Sequence, residues 1–310
     1  MQQASNKISV IIPLYNKATE IAITLHTVLA QSLQPREIIV VDDGSTDGSA
    51  EIVESIGSPL VRLIRQENKG VSAARNRAMR EATGEWVALL DGDDMWGAEY
   101  LATVAQMIER WPKCGAYGTA FMIDDGNNCV PARCCEKMGV VDFFAESMTR
   151  YVLIPSATTL RRDLALELGG FPEGMRMGED QFLWTKIARV ADVCFMPKPQ
   201  VIYSRAATNR SAVIYRPEHT AFSFEQLYEP EREDMSNEYI ARVALGKALV
   251  ESSRGGTQAA RRALEFFSYN TMSHRIALKV RVLNALPRFT RRWVLWIYNT
   301  LAWVIARKGL

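Results

Sequence analysis

No glycine-rich phosphate loop is written anywhere in this chain of 310 residues. Neither GxGxxG after a strand nor GxxxxGK followed by Ser or Thr occurs. That absence sets aside dinucleotide oxidoreductases and P-loop enzymes together, because both cradle phosphates on backbone N–H groups at a helix start. A nucleotide bound here has to be held by side chains and a metal. The five cysteines form no CxxC pair and no zinc-like spacing, and Cys134 and Cys135 are adjacent. Such an irregular set points to reduced thiols in a cytosolic setting rather than a disulfide framework. Nothing at the amino terminus resembles a signal peptide, since Met1 to Lys7 is polar and the apolar run after it is only a strand long. The expectation is a protein on the cytoplasmic side.

What is present begins with 48% hydrophobic and 23% charged residues, enough for a sizeable core. The length suits one large domain with an appendage, or two domains. Charge is unevenly placed. Tyr239 to Leu310 holds thirteen Lys and Arg against Glu251 and Glu265, a net of +11, while Met1 to Glu238 carries −9.

The stretch that organises the chain is Trp86-Val87-Ala88-Leu89-Leu90-Asp91-Gly92-Asp93-Asp94. An apolar run reads as a buried strand and ends in crowded carboxylates. Crowding raises each pKa and costs desolvation unless a cation intervenes, and oxygen-only ligands favour Mg²⁺ or Mn²⁺. The competing reading is a solvated acidic turn capping the helix that starts near Gly97.

Other elements alternate. Ile8 to Pro13 reads as a strand, and a helix follows from about Thr19. Glu37 to Val41 is a second strand ending in Asp42 and Asp43. Helix from about Gly48 to Ser55, strand Val61 to Arg65, and a helix from Ser72 as N-cap through Ala82 come next. Short strand and helix alternation predicts an α/β fold with a mostly parallel sheet and right-handed crossovers. Asp124-Asp125-Gly126-Asn127-Asn128 reads as a hairpin turn rather than a second metal site. Val193 to Pro197 and Val201 to Tyr203 read as short strands.

Four segments, Ser9-Val10-Ile11-Ile12-Pro13-Leu14-Tyr15-Asn16, Val40 to Asp47, Asn68 to Asn76, and Leu90 to Asp94, resemble in order and spacing the successive motifs of family 2 glycosyltransferases with the GT-A fold. The resemblance implies a nucleotide-sugar site. Pro13, Leu14, Tyr15 and Asn16 would line the base pocket, and Asp43 would accept a hydrogen bond from the base. Arg75 would contact the nucleotide or its phosphates, with a surface ion pair as its alternative. Asp91 and Gly92 would lie near the ribose, and Asp93 together with Asp91 would hold Mn²⁺ or Mg²⁺. Asp94 would cap the next helix. Ordinary packing for Tyr15, and an Asx-turn or cap for Asp42 and Asp43, are the plainer readings.

Gly170-Phe171 followed by Glu179-Asp180 is similar to the family's acceptor-side motif. That similarity implies Asp180 as general base and Glu179 as its positioning partner. The plainer reading is two acids favouring a helix N-terminus. The family often carries a histidine near the metal after the tyrosine equivalent to Tyr203. Here Ser204 to Ser211 has none, and Arg205 or Arg210 is left to face the diphosphate or to lie in a solvated basic loop.

The expected division is a GT-A domain at residues 1–215 and a basic helical extension at 216–310. Within the extension, Trp293 to Ala306 falls short of the roughly 20 residues that span a bilayer. Its flanking bases and three tryptophans suit an interfacial helix on an anionic membrane surface at the inner face of the cell membrane, with packing on the catalytic domain or in a homodimer as the alternative. No nucleic-acid signature accompanies the charge. The reading is thus a metal-dependent inverting transferase. It would move a sugar from a nucleotide diphosphate donor, UDP ahead of GDP or dTDP, to a hydroxyl of a glycan or lipid-linked glycan. A sugar-phosphate nucleotidyltransferase and an inactive binding homologue are the alternatives.

Overall fold

The computed structural model describes residues 7–206, 220–287, 289–291, 293, 294, 296 and 297. In chain order these form β1 (Ile8–Leu14), α1 (Ile21–Leu29), β2 (Glu37–Asp42), α2 (Ser49–Ser55), β3 (Val61–Arg65), α3 (Val71–Glu81), β4 (Trp86–Leu89), β5 (Met95–Trp96) and α4 (Tyr100–Arg110). Next come β6 (Ala116–Asp124), β7 (Cys129–Pro131), β8 (Gly139–Val141), α5 (Phe143–Ser147), β9 (Thr158–Arg161), α6 (Arg162–Glu167), α7 (Glu179–Val190) and β10 (Val193–Ser204). Three further helices follow: α8 (Ser236–Arg254), α9 (Thr257–Phe266) and α10 (His274–Ala285).

One sheet runs in the order β3-β2-β1-β4-β9-β6-β10-β5, with β7 on β6 and β8 on β10. The α/β expectation is met. Strands β3, β2, β1 and β4 pair in parallel, as do β6 and β10. β9 runs antiparallel between β4 and β6. The continuous apolar runs of β1, β2 and β4 are explained by burial, since helices cover both faces of a parallel sheet. Val10, Ile11, Ile12, Ile38, Ile39, Val40, Val87 and Ala88 have no exposed surface. Because β1 is parallel to both β2 and β4, all three deliver their carboxyl ends to one edge of the sheet. Tyr15, Asp43 and Asp91 meet there for that reason.

Several boundaries differ from the sequence reading. The two strands expected at 193–197 and 201–203 are one strand, β10, whose register against β6 shifts between Met196 and Val201. Pro197 and Pro199 lack the N–H that an unbroken ladder requires. Gly70, not Ser72, is the N-cap of α3, and the Ser72 hydroxyl is buried inside the first turn. The acids at the β6–β7 turn are turn-formers as expected: Asp125 accepts the backbone N–H groups of Asn127 and Asn128.

The chain divides into two compact units, Met1–Phe222 and Ser223–Leu310. The boundary expected at 215/216, and Arg210, fall outside the described residues. In the second unit Ala248, Ala260 and Val280 form a small core between α8, α9 and α10. Of the expected interfacial tail, residues 288, 292, 295 and 298–310 fall outside the described residues. No helix among the described residues is long and apolar enough to cross a membrane.

Candidate active site

The loop after β1 is fastened to the loop after β2. Asn16 adopts a left-handed backbone at φ 51°, its N–H donates to Ser45 Oγ at 3.0 Å, and its side-chain oxygen accepts the Thr46 N–H at 2.8 Å. The Lys17 N–H donates to Ser49 Oγ at 2.7 Å. Tyr15 is 38% exposed beside this clasp. Asp43 is buried and accepts from Gln66 Nε2 (2.7 Å), the Lys69 N–H (2.8 Å) and the Gly70 N–H (2.7 Å). A carboxylate offers about four acceptor positions, so one remains for a further donor. Asp42 accepts the Ser45 N–H, three residues on, at 3.1 Å.

The acids after β4 have three different environments. Asp91 is half-buried, and its Oδ1 accepts from Arg75 at 2.7 Å. Asp93 accepts from the Lys17 ammonium at 2.7 Å. Burial pushes the Asp93 carboxyl up, Lys17 opposes that, and Asp91 adds to it. Asp94 has no exposed surface. It accepts from the Ser156 hydroxyl and, at 2.8 Å, from the Ser204 N–H. Burial first, then Asp91 and Asp93, hold the Asp94 carboxyl well above the ordinary range. The expectation that Asp94 caps the next helix is therefore corrected. The helix begins only at Tyr100, with Glu99 at its cap, because β5 intervenes to pair with β10. Asp94 instead ties the turn to β10 and to the segment before β9.

Between the acids, Gly92 leaves a close approach open: a Cβ there would lie 3.4 Å from the Pro13 carbonyl oxygen and 3.6 Å from Lys17 Cγ. The Gly92 carbonyl accepts from Thr24 at 3.1 Å, so α1 also anchors this turn.

Glu179, with Asp180 next in the chain, is tied to Asp91 through α3. Asn76 clasps the Phe171 backbone twice, donating to its carbonyl and accepting its N–H, each at 2.8 Å. Gly170 sits at φ +66°, and a Cβ there would fall 2.5 Å from Asn76 Oδ1. Only glycine fits that turn. The neighbouring Arg75 lies over the Phe171 ring at 5.2 Å. It is 3% exposed and bridges Asp91 (2.7 Å) to Glu179 (3.3 Å). Burial opposes its charge, but Asp91 and Glu179 more than compensate and keep it protonated. Burial, then the Asp180 charge, raises Glu179 to about 7, with Arg75 acting the other way. Burial likewise raises Asp180, whose carboxylate accepts the Gln181 N–H at 2.9 Å. Glu179 and Asp180 open α7, where the exposed N–H groups and the helix dipole favour negative charge.

Pro13 and Leu14 at the end of β1 and Tyr15, Asn16, Asp43, Asp91, Gly92 and Asp93 on the loops thus lie at one sheet edge, and Arg75 joins Asp91 to Glu179. Two participants escaped the sequence reading. Lys17 follows directly on Asn16, and the need to neutralise crowded acids is the one signal in the sequence that bears on it. Ser156 bonds Asp94 and accepts through its hydroxyl the Asp91 N–H at 3.1 Å; no local pattern marks it. Arg205 donates its backbone N–H to the Asp124 carbonyl at 2.6 Å.

No group of three or more metal-binding side chains occurs among the described residues. Asp91 and Asp93 nevertheless offer two hard carboxylates from one turn. That donor set fits Mg²⁺ or Mn²⁺, which commonly use few carboxylates and take the rest of their shell from phosphates and water.

The family model for Glycosyl transferase family 2 matches residues 9–168, which takes in the loops after β1, β2 and β4 and stops short of Glu179. The glycosyltransferase YibD of Escherichia coli K12 is 45% identical over 96 residues, covering 30% of this chain and 28% of that one. The alignments with the first five curated relatives span between 28% and 49% of those proteins' own length. In fold, the chain is similar to S. aureus TarS 1-349 in complex with UDP-GlcNAc, with TM-score 0.67, 22% identity and 90% of each chain covered. It is also similar to the mannosyltransferase PcManGT of Pyrobaculum calidifontis in complex with GDP-Man and Mn²⁺, with TM-score 0.51, 21% identity, and 90% and 86% of the two chains covered.

Proposed function

This chain belongs to glycosyl transferase family 2, and on that premise we propose that it is a metal-dependent inverting transferase. It moves a sugar from a nucleotide diphosphate donor, UDP first among candidates, to a hydroxyl of a glycan or lipid-linked glycan in surface polysaccharide synthesis. The observation that carries the reading is the Arg75 bridge, which puts a donor-side acid, Asp91, and an acceptor-side acid, Glu179, on one buried guanidinium. The UDP-GlcNAc held by TarS supports the donor class, and the Mn²⁺ held by PcManGT supports the metal.

Tyr15 packs on the base, and Asp43 takes one donor from it while holding the 66–70 loop. Asp93, with Asp91, is the residue set for a divalent cation; what that cation supplies is charge compensation for the departing diphosphate. Arg75 fixes Asp91 and Glu179 so that neither swings into the sugar's path. Asp180 takes the proton from the acceptor hydroxyl as that oxygen attacks the anomeric carbon. Its burial favours proton uptake, and one base on the face opposite the leaving group suffices for a single inverting displacement. No covalent nucleophile is required.

A thermal-shift panel of UDP, GDP, dTDP and their sugars, each with Mn²⁺ and with EDTA, tests this on wild type and Asp93→Ala. The reading expects one diphosphate to stabilise wild type only with metal, and Asp93→Ala to lose the shift. Absence of a shift with every nucleotide would remove the reading's main support.

A further inference from the structure

The inner face of α10 is accounted for: Val280 and Leu283 are buried, and Ile276 packs on the core made with α8 and α9. Its outer face is not that of an ordinary surface helix. Leu278 is 59% exposed and Val282 49%, one turn apart on the same side. Arg275 lies three residues before Leu278 and Arg281 three after it, both exposed, so arginines bracket Leu278 along the helix and Val282 follows directly on Arg281. The helix His274–Ala285 contains no acidic residue. Beyond it Phe289, Trp293 and Trp296 are 81%, 70% and 64% exposed. An outward helix face in water would carry polar residues of both signs; here it carries apolar side chains and positive charge alone.

Not every base in this unit faces outward. Arg291 is 8% exposed and donates to the carbonyls of Leu286 (2.8 Å) and Asn284 (3.3 Å) at the end of α10, and of Ser252 (3.4 Å) in α8. Its charge satisfies carbonyls that helix ends leave without partners. The selection is informative, because Arg291 serves the fold while Arg275 and Arg281 stay beside the exposed apolar pair.

We propose that the Arg275, Leu278, Arg281 and Val282 face of α10 is a docking surface for an anionic phospholipid bilayer. Leu278 and Val282 enter the headgroup boundary, and the two arginines meet lipid phosphates. Charge complementarity selects this occupant. A nucleic acid would use the arginines but has no use for the apolar pair, and a second copy of this face would bring like charges together. The surface lies on α10 itself, so it does not depend on the tail beyond it. It stands independently of the transferase reading, because lipid binding requires neither donor nor metal.

The test is flotation of the full-length protein with phosphatidylcholine vesicles, with and without phosphatidylglycerol, at low and high salt. Wild type is expected to float with the anionic vesicles and to lose binding as salt rises. Leu278→Asp/Val282→Asp and Arg275→Glu/Arg281→Glu should each reduce the bound fraction about tenfold, since each removes one of the two attractive contributions. All four positions are solvent-facing, so melting temperatures should match wild type and confirm that the variants fold. Equal flotation of wild type and both variants would overturn the proposal, as would equal binding to neutral and anionic vesicles or no binding at all. A wild-type dimer in size-exclusion light scattering that becomes a monomer in Leu278→Asp/Val282→Asp would also overturn it, by assigning the face to a second copy.

Discussion

Lys17 sets its ammonium 2.7 Å from Asp93, and the two side chains are only 10% and 14% exposed. A protein cation therefore stands on the acid that the proposed function gives to a metal. Its mate Asp91 is held in the same way by Arg75. The crowded carboxylates of the turn after β4 are made compatible with folding by two cations from other elements, one from the loop after β1 and one from α3.

Lys17→Met removes the resident cation from Asp93. Breaking a buried pair from one side typically costs about 3–5 kcal/mol, so the metal-free variant should melt well below wild type. Mn²⁺ should recover most of that loss, and Mn²⁺ titration followed by electron paramagnetic resonance, without nucleotide, should show tighter binding than wild type. Weaker Mn²⁺ binding would mean that Lys17 assists the metal rather than standing in for it.

Arg75→Lys tests the bridge between the two halves of the site. A single ammonium has no planar fork with which to reach Asp91 and Glu179 together, so the substitution is not conservative. Turnover should fall about 100-fold or more through misplacement of the reacting groups. Nucleotide binding, read by calorimetry, should change less than turnover. A variant with unaltered turnover would show that the bridge serves only the fold.

Asp180→Asn should lower kcat by a factor of about 10²–10⁴, the usual contribution of a general base, while leaving donor-induced thermal stabilisation in place. The acid limb of the pH–rate profile should rise as the Glu179 and Asp180 pair loses its protons. Glu179→Gln should remove the component of that limb near pH 7, because Glu179, raised by burial and by the Asp180 charge, is the group that loses its proton there.

Stability should follow the opposite sign. Glu179 holds its proton to about 7 in the folded chain against an ordinary value of 4.5. The folded state thus binds more protons than the unfolded one between those values. The associated stability is fully present below 4.5 and is lost as pH rises through 7. Melting temperature should fall for wild type from about pH 5 to about pH 8, and Glu179→Gln should flatten that slope.

Asp94 gives a structural control. Asp94→Ala leaves the Ser156 hydroxyl and the Ser204 N–H without their acceptor, at about 1–3 kcal/mol for each buried group. Asp94→Asn keeps an acceptor oxygen and replaces a carboxyl already pushed toward its neutral form. It should therefore melt closer to wild type than Asp94→Ala does. Equal melting of the two variants would show that the bonds to Ser156 and Ser204 add little.

How much of this was legible follows from the range of each interaction. The turn acids at 124 and 125 were readable because their partners lie two and three residues away. The buried strands β1, β2 and β4 were readable because unbroken β-branched and apolar runs state burial on both faces. Asp94 was misread as a cap, because a cap is a local rule and its real partners, Ser156 and Ser204, lie 62 and 110 positions along the chain. Lys17 was passed over for the same reason, its acid being 76 positions away.

By itself the sequence determined which acids end strands, the alternation that makes the first half of the sheet parallel, and the motifs that mark its family. Those properties are set by nearest neighbours, by hydrophobic periodicity and by the side-chain types offered at each strand end. Only the tertiary structure decided which cation answers which carboxylate. It placed Arg75 between Asp91 and Glu179, Lys17 on Asp93 and Asp94 in the core, and it left Leu278 and Val282 facing water. Ion pairing and burial depend on distance in space, and the sheet order that brings β1, β4 and the start of α7 together is not a property of any one segment.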